Sequence, residues 1–183
     1  MAELSAGGPR VRYQVAASLD GFIAPRPGAL GPGKADHDWI PHDPDIDFGA
    51  LFAQFDTLLM GRKTYEGMLA QGSGTFGMTT CVVSRTMRAD DHPGVQVVHD
   101  DLPGAVADLK ARSTKDIWLF GGGELLAGLV SLGLVDRIEI AVVPALLGDG
   151  VPIIAPSSLI PLRYTGQRVY PKSGIVLLEY DVR

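Results

Sequence analysis

Cysteine is almost missing from this chain, since Cys81 is the only one among its 183 residues. A single cysteine cannot form a disulfide within the chain, and it cannot build a zinc site that takes several cysteine ligands. Because Cys81 lies in an apolar stretch with Val82 and Val83, we predict that it is a small core residue.

Charge is also scarce, and the start of the chain holds no long apolar run. With 20% charged and 46% hydrophobic residues, the composition is that of a globular protein. The net charge of −5 argues against a nucleic-acid partner, although 16 Lys and Arg residues suffice for a local anion site. Residues 1–10 contain Gly7, Gly8 and Pro9 and look like neither a signal peptide nor a membrane anchor. We therefore expect a flexible tail there, no membrane partner and a cytoplasmic protein.

Strand and helix patterns alternate over residues 11–183, which we expect to form a single domain. Alternation of Val11, Tyr13 and Val15 with their neighbours predicts a first strand, and the many prolines and glycines of 24–34 predict a loop. Further strands are predicted at 57–60, 78–83, 95–98, 117–120, 137–143, 164–170 and 175–182, with helices from about residue 64, at 102–112 and at 124–132.

Another helix is predicted from the helical spacing of Phe48, Leu51, Phe52 and Phe55. Strands that alternate with helices imply an α/β fold with a largely parallel sheet. No helix separates the last two strands, so we expect them to form an antiparallel hairpin at one edge of that sheet.

Three consecutive glycines, Gly121, Gly122 and Gly123, stand where a predicted strand meets a predicted helix. Without Cβ atoms the backbone can approach a ligand closely, and the free N–H groups of the helix start suit a phosphate. The alternative is a tight turn with no ligand. The run is not a full GxGxxG, so it favours a phosphate site over a standard dinucleotide fold.

A second strand end has the same arrangement, with Gly61 followed by Arg62, Lys63 and Thr64. Thr64 is a candidate helix cap, while Arg62 and Lys63 place cations beside free amides. Taken alone, this segment fits a capped helix with solvated charges equally well. Because the glycine turn has the same arrangement, we favour a phosphate site over a capped helix without a ligand.

Ser84 and Arg85 follow a third strand. In a parallel sheet, ligands gather outside the carboxyl ends of the strands, so a ligand with several phosphates fits three such ends. The positive charge of Arg62, Lys63 and Arg85 suits a 2′-phosphate and favours NADPH over NADH.

Five motifs together resemble the dihydrofolate reductase fold, and more specifically the stand-alone relatives of the reductase domain of riboflavin biosynthesis. They cover nearly the whole chain and are Ala17-Ser18-Leu19-Asp20-Gly21-Phe22-Ile23-Ala24, Met60-Gly61-Arg62-Lys63-Thr64-Tyr65-Glu66, Val83-Ser84-Arg85, Phe120-Gly121-Gly122-Gly123-Glu124 and Pro144-Ala145-Leu146-Leu147-Gly148-Asp149-Gly150. The resemblance implies a three-layer α/β/α fold with a mainly parallel mixed sheet and an antiparallel C-terminal hairpin.

The resemblance also implies an NADPH site and hydride transfer to a carbon of a C=N bond. Ala16 and Ile23 would line the nicotinamide, and a cis peptide between Gly121 and Gly122 would be one way to approach the pyrophosphate. The other implied cofactor-binding residues are Gly61, Arg62, Lys63, Thr64, Ser84, Arg85, Phe120, Gly121, Gly122, Gly123, Glu124 and Leu125.

Two departures from the family concern the substrate. Dihydrofolate reductases place an arginine before the strand that leads to Ser84, whereas residues 75–79 hold no Arg or Lys. The Asp-x-Pro-x-Leu-x-x-Arg stretch of the riboflavin reductase domain is absent as well, and so is its fused zinc deaminase domain. The motifs of the family's cofactor site are therefore present, whereas the motifs of its substrate sites are absent.

Reduction of a C=N bond needs a proton, and the family places its acid at the start of the helix near Phe48. Asp45 and Asp47 are the candidates, and helix capping explains either residue equally well. Trp39 and Phe48 are candidate substrate contacts, although Trp39 also suits the core. Asp20 either fixes the turn after the first strand or touches the ligand. We expect no metal, because the histidines and aspartates of 37–43 have no specific spacing.

The sequence leaves several functions open. The first is an NADPH-dependent reductase of a small pterin-, pyrimidine- or flavin-like heterocycle. The others are a non-catalytic NADPH- or nucleotide-binding module, a true dihydrofolate reductase, and a scaffold whose glycine turns are only structural. A homodimer is compatible with the apolar strand at 137–143 and those that follow it.

Overall fold

An eight-stranded mixed sheet forms the centre of the computed structural model, which describes residues 7–30, 37–72, 74–155 and 158–183. Its strands, with those of a small second sheet, are β1 (Val11–Ser18), β2 (Phe22–Pro25), β3 (Phe55–Gly61), β4 (Thr79–Val83), β5 (Val95–Val98), β6 (Asp116–Gly121), β7 (Arg137–Val143), β8 (Gly150–Pro152), β9 (Leu162–Tyr170) and β10 (Ile175–Val182). The described helices are α1 (Phe48–Phe52), α2 (Arg62–Ala70), α3 (Leu102–Arg112) and α4 (Gly123–Ser131).

The order of the strands across the main sheet is β5-β4-β3-β6-β1-β7-β10-β9. All pairs from β5 to β7 are parallel, whereas β10 pairs antiparallel with β7 and β9 antiparallel with β10. The prediction of a mainly parallel sheet with an antiparallel C-terminal hairpin at its edge is therefore confirmed.

Apolar side chains cover both faces of this sheet. On one face, Val11, Tyr13 and Leu119 lie in a buried cluster with Leu109 of α3 and Leu126 of α4. On the other face, Leu58, Met60 and Trp118 pack with Tyr65 and Met68 of α2. Because neighbouring residues in a strand point to opposite faces, β3, β4 and β6 contribute to both clusters. The three-layer arrangement predicted from the sequence is thus present.

A two-stranded sheet of β2 and β8 was not predicted. Both strands are short and include proline, so they lack the alternation that marks a strand. The predicted loop at 24–34 was wrong in its first two residues, which belong to β2, and its last four lie outside the described residues. Residues 1–6 of the predicted tail also lie outside them.

Local differences concern the boundaries of α1 and α2. Phe55 was predicted to share a helix with Phe48, yet α1 ends at Phe52 and Phe55 opens β3. Thr64 was predicted to cap α2, but Gly61 is the N-cap and Thr64 lies within the first turn. The proposed cis peptide between Gly121 and Gly122 is also wrong, since no peptide bond of the described residues is cis.

Cys81 is fully buried, as predicted for a core residue. Within the described ranges, no helix is both long enough and apolar enough to span a membrane.

Candidate functional site

Four neighbouring strands end beside one another at the carboxyl edge of the sheet. In the order β5-β4-β3-β6, the residues that follow or end these strands are His99, Ser84, Gly61 and Gly121. Parallel strands place their carboxyl ends on the same edge. The three segments that the sequence singled out separately therefore lie side by side, and His99 extends their row by one strand.

The two glycine turns touch each other through Thr64. A Cβ built on Gly121 would lie 3.5 Å from Thr64 Cγ2, and one on Gly122 would lie 3.8 Å from Thr64 Oγ1. Gly121 and Gly122 have φ values of +153° and +100°, which residues with a Cβ rarely adopt. The start of α2 and the turn before α4 thus form one continuous surface whose backbone is not covered by side chains at 121 and 122.

Position 123 requires glycine because a side chain there would overlap the neighbouring backbone. Its Cβ would lie 2.8 Å from the Pro152 carbonyl oxygen and 3.2 Å from the Ile153 carbonyl oxygen. The N–H of Ala155 also donates to the Gly123 carbonyl at 3.1 Å. The segment that contains β8 therefore packs directly on the start of α4. Of the remaining predicted residues at this turn, Glu124 is exposed, and Phe120 and Leu125 are half-buried.

The start of α2 presents backbone N–H groups and two cations. Gly61 has no side chain to accept from them, so the first-turn N–H groups of α2 have no side-chain cap. Arg62 and Lys63 are exposed, and Arg62 Nη1 donates to Glu66 Oε1 at 2.9 Å. An exposed pair of this kind is weak, so an anion can compete with Glu66 for Arg62.

Ser84 anchors the end of β4. Its hydroxyl oxygen accepts from the N–H groups of Thr86 and Met87 at 3.2 and 3.0 Å, which leaves its own proton to donate. Arg85 is exposed. His99 Nδ1 lies 2.8 Å from the Ser84 carbonyl oxygen, so it carries the proton of that contact. Sequence reasoning missed His99, although its position directly after β5 is the same signal that marked Ser84.

Asp20 holds two loops together. It accepts from Ser18 Oγ at 2.6 Å and from the N–H groups of Leu147 and Gly148 at 3.1 and 2.7 Å. The hydrogen bond from Ser18, followed by those from Gly148 and Leu147, outweighs desolvation and lowers the pKa of Asp20. The loop after β1 is thereby joined to the loop before β8, as its structural interpretation predicts. Ala16 is half-buried at the end of β1, and Ile23 is half-buried in β2.

The two candidate acids are both exposed carboxylates with a partner. Asp45 accepts from Lys172 Nζ at 2.8 Å, and this hydrogen bond raises the pKa of Lys172. Asp47 is the N-cap of α1 and accepts from the Ala50 N–H at 2.8 Å. In these contacts each carboxylate is a hydrogen-bond acceptor.

Asp43, which sequence reasoning did not select, is the buried carboxylate of this segment, with 1% of its surface exposed. It accepts from the N–H of Asp45 at 2.9 Å and from that of Ser173 at 2.8 Å. Burial alone would raise the pKa of Asp43, but its hydrogen bonds with Ser173 and Asp45, aided by the charge of Lys172, lower it overall. Asp43 therefore fixes the position of the segment that carries Asp45.

Trp39 packs in a cluster with Ala16 and Ile175, beside the end of β1. Its indole Nε1 is buried and has no hydrogen-bond partner among the described residues, and the same holds for Gln14 Oε1. Gln14 and Ala16 share a face of β1 because they are two residues apart. An unpaired buried polar atom is costly, so two of them beside the candidate nicotinamide contact point to a ligand position.

Aromatic rings border this position on the side of β6. The Phe48 and Phe52 rings are 6.0 Å apart, and Phe52 is 5.0 Å from Phe76, which lies 5.8 Å from Phe120. Phe48, a predicted substrate contact, is 49% exposed, and Phe76 is 43% exposed.

Two shallow depressions lie at the opposite, amino edge of the sheet, where Arg10 and Asp136 line both. In this region Arg10 pairs with Asp116, and Lys110 pairs with Asp136. The glycine turns, the unpaired atoms of Gln14 and Trp39 and the exposed rings of Phe48 and Phe76 all lie elsewhere. We therefore place the candidate site at the carboxyl edge.

This arrangement can be compared with known proteins. Residues 9–173 match the RibD C-terminal domain family. The chain belongs to this family. It is 31% identical to the uncharacterized protein YyaP of Bacillus subtilis, in an alignment that covers 93% of this chain and 94% of YyaP.

Solved structures agree with the family. A protein from Shewanella sp. PV-4, assigned to riboflavin biosynthesis, superposes with a TM-score of 0.78 at 27% identity and covers 95% of this chain and 99% of its own. The Thermotoga maritima diaminohydroxyphosphoribosylaminopyrimidine deaminase/5-amino-6-(5-phosphoribosylamino)uracil reductase gives 0.67 at 16% identity over 96% of this chain and 57% of its own. A dihydrofolate reductase from Enterococcus faecalis, complexed with NADP(H), gives 0.61 at 17% identity, with 94% of each chain covered. The fold is thus that of dihydrofolate reductase.

Proposed function

We propose that this protein is an NADPH-dependent reductase that transfers hydride to a C=N bond of a small pterin-, pyrimidine- or flavin-like heterocycle. The observation that carries the proposal is the row of glycine turns, exposed cations and free helix N–H groups along adjacent strand ends, in a chain that belongs to the RibD C-terminal domain family. We also propose that residues 11–183 act as one domain, since β1 and β10 both join the main sheet.

The glycine surface fits a pyrophosphate. Gly121 and Gly122 leave the backbone beside Thr64 open, and the free N–H groups at the start of α2 suit a phosphate oxygen. Lys63, Arg62 and Arg85 would hold the 2′-phosphate, with the Ser84 hydroxyl as a further donor. The two solved neighbours named after a reductase reaction and after NADP(H) support this assignment.

When bound, the reduced nicotinamide supplies the hydride, and the protein has to position the acceptor and provide a proton route. Ala16 and Ile23 would line the ring. We propose Asp45 rather than Asp47 as the residue that holds the proton or a proton-donating water. Asp47 caps α1, whereas the exposed ion pair of Asp45 with Lys172 takes little free energy to break.

The test follows NADPH oxidation with a panel of pterins, aminouracils and flavins as acceptors. We expect turnover with at least one acceptor class and stronger thermal stabilisation by NADPH than by NADH. Tight NADPH binding without turnover of any acceptor would leave the nucleotide-binding module as the better function. Preferred turnover of dihydrofolate would favour a true dihydrofolate reductase instead.

We also propose a homodimer formed through β9. Among the described residues, this strand pairs only with β10, and Tyr164 and Val169 on it are exposed. An unpaired edge strand with apolar side chains is a ready partner for another strand. Most soluble oligomers are symmetric, so a second copy of this chain is the partner that we propose.

A further inference from the structure

The exposed aromatic rings form a strip beside the end of β6. Phe48 of α1 and Phe76, in the turn before β4, are both exposed, and Phe52 lies between them in ring contact with each. Phe120 connects the strip to the glycine turn, since it precedes Gly121 and lies 5.8 Å from Phe76. Large apolar rings that remain exposed next to a binding surface indicate a ligand that covers them.

The backbone at Phe76 is strained to hold its ring there. Phe76 has a φ of +53°, and no other non-glycine residue of the described ranges has a positive φ. Such a conformation costs free energy and persists where the surroundings impose it, often at binding sites. Its ring is held by Phe52 at 5.0 Å and by Trp118 at 6.3 Å, with interplanar angles of 30° and 23°.

The strip carries no positive charge. Residues 48–55 and 75–80, which supply its outer part, contain no Lys, Arg or His. Lys172 lies outside these segments and pairs with the candidate acid Asp45. An acceptor with a phosphate or carboxylate at this end would therefore lose its hydration without gaining a counter-ion from these segments.

At the inner end, two buried polar atoms of the described residues lack a partner, and both are neutral. Gln14 Oε1 accepts and Trp39 Nε1 donates, and neither has a partner among the described residues. A heteroaromatic ring that carries both N–H and carbonyl groups offers the complementary donor and acceptor. Gln14 escaped sequence reasoning because it reads as an ordinary strand residue.

We propose that the acceptor is a planar, uncharged heteroaromatic ring that stacks on the strip of Phe48, Phe52, Phe76 and Phe120, and that the side chain of Gln14 recognises its polar edge. This inference rests on the proposed function and deepens it. It excludes a phosphoribosyl acceptor, which carries its charge outside the ring.

Binding of two matched probe pairs in the presence of NADP⁺ tests the proposal without turnover. The pairs are 6-methylpterin with pterin-6-carboxylate, and lumiflavin with FMN, each followed by probe fluorescence. We expect the uncharged member of at least one pair to bind tenfold or more tightly than its anionic counterpart. Equal or tighter binding of the anionic member in both pairs, or no binding of either uncharged probe, would overturn the proposal.

Two variants test the residues. Phe76→Gly removes the ring and tolerates the positive φ, so the turn keeps its conformation. Gln14→Leu removes the unpaired carbonyl, so we expect an unchanged or higher melting temperature together with about tenfold weaker probe binding. Leu132→Ala, which truncates an exposed side chain at the end of α4, is the control. Wild-type probe affinity in both Phe76→Gly and Gln14→Leu contradicts the proposal.

NADPH affinity, measured separately on the same proteins, distinguishes failure of the proposed reductase function from failure of the uncharged-ring inference. Failure of the wild type to bind NADPH counts against the proposed function. Efficient turnover of a phosphorylated acceptor leaves that function intact and removes only the uncharged-ring inference.

Discussion

Thr64 of α2 lies against Gly121 at the end of β6, with its Cγ2 3.5 Å from the position of a Cβ on the glycine. This contact joins two turns that are 57 residues apart in sequence (121 − 64) and that would otherwise be two unrelated phosphate-type loops. At this distance a methyl group would fit without overlap. The positive φ values of Gly121 and Gly122, rather than lack of space, therefore reserve these positions for glycine.

Replacement of Lys63 or Arg85 by Gln should weaken NADPH binding and leave NADH binding nearly unchanged. A charge-assisted hydrogen bond to a phosphate contributes about 1.5–3 kcal/mol, so we expect the Kd for NADPH to rise tenfold or more for each variant. Isothermal titration calorimetry with both cofactors measures the difference. Lys115→Gln, an exposed lysine at the amino end of β6, is the matched control. An equal loss for NADPH and NADH would contradict the assignment to the 2′-phosphate.

Gly123→Ala should destabilise the fold, whereas Gly128→Ala on the same helix should not. The added methyl at 123 would overlap the Pro152 carbonyl oxygen, and overpacking of this kind costs about 1–3 kcal/mol. At Gly128 nothing lies within 4 Å, and alanine is the better helix former by about 0.5–1 kcal/mol. Urea denaturation of both variants measures the two effects. If Gly123→Ala is as stable as the wild type, β8 does not dock on α4 as described.

The sequence predicted α3, β5, β7 and β10 with their observed boundaries because periodicity and local signals agree there. In α3, for example, Asp101 caps the first turn and a proline stands at its start. Local signals conflict at Phe55, whose spacing fits a helix although the residue pairs with Asp116 as part of β3. Tertiary pairing overrides spacing at such a position.

Other features of the site have no local signal. Four aspartates lie in the described residues 37–47, and only the contact of Asp43 with Ser173, 130 residues later, identifies the buried one. The positive φ of Phe76 depends on rings contributed by α1 and β6. The sequence predicts the glycine turns because glycine itself is the local signal of such a turn. The proposed roles of Gln14 and Phe76 depend on their neighbours in space, which the sequence does not reveal.

Asp43→Asn should lower the stability at neutral pH and lose this effect in acid. The lowered pKa of Asp43 means that its ionised form stabilises the native state above the pKa of an unfolded aspartate, about 3.9. This stabilisation disappears as the pH falls through the native pKa. Melting temperatures of variant and wild type should therefore differ at pH 7 and converge progressively as the pH falls below about 4. Asp108→Asn, an exposed change on α3, is the control. A difference that is constant with pH would argue against an ionised Asp43 in the folded protein.

Asp45→Asn should lower kcat about 100-fold or more if Asp45 supplies or relays the proton, since general acids contribute about 10²–10⁴-fold. Its exposed pair with Lys172 contributes little to stability, so the melting temperature should hardly change. Asp47→Asn serves as the comparison, because it perturbs the cap of α1 and should mainly affect stability. A large loss of kcat in Asp47→Asn with normal turnover in Asp45→Asn would reverse the assignment.

Val169→Lys should convert the proposed dimer into a monomer. Val169 is exposed on β9, and a lysine there would place like charges on both copies of a symmetric strand pair and would have to lose its hydration in the interface. Light scattering after size exclusion should give twice the chain mass of 19.4 kDa for the wild type and the chain mass itself for the variant. Leu132→Lys alters an equally exposed leucine after α4 and should leave the dimer intact. A dimer that persists in Val169→Lys would place the interface away from β9, and a monomeric wild type would exclude the dimer altogether.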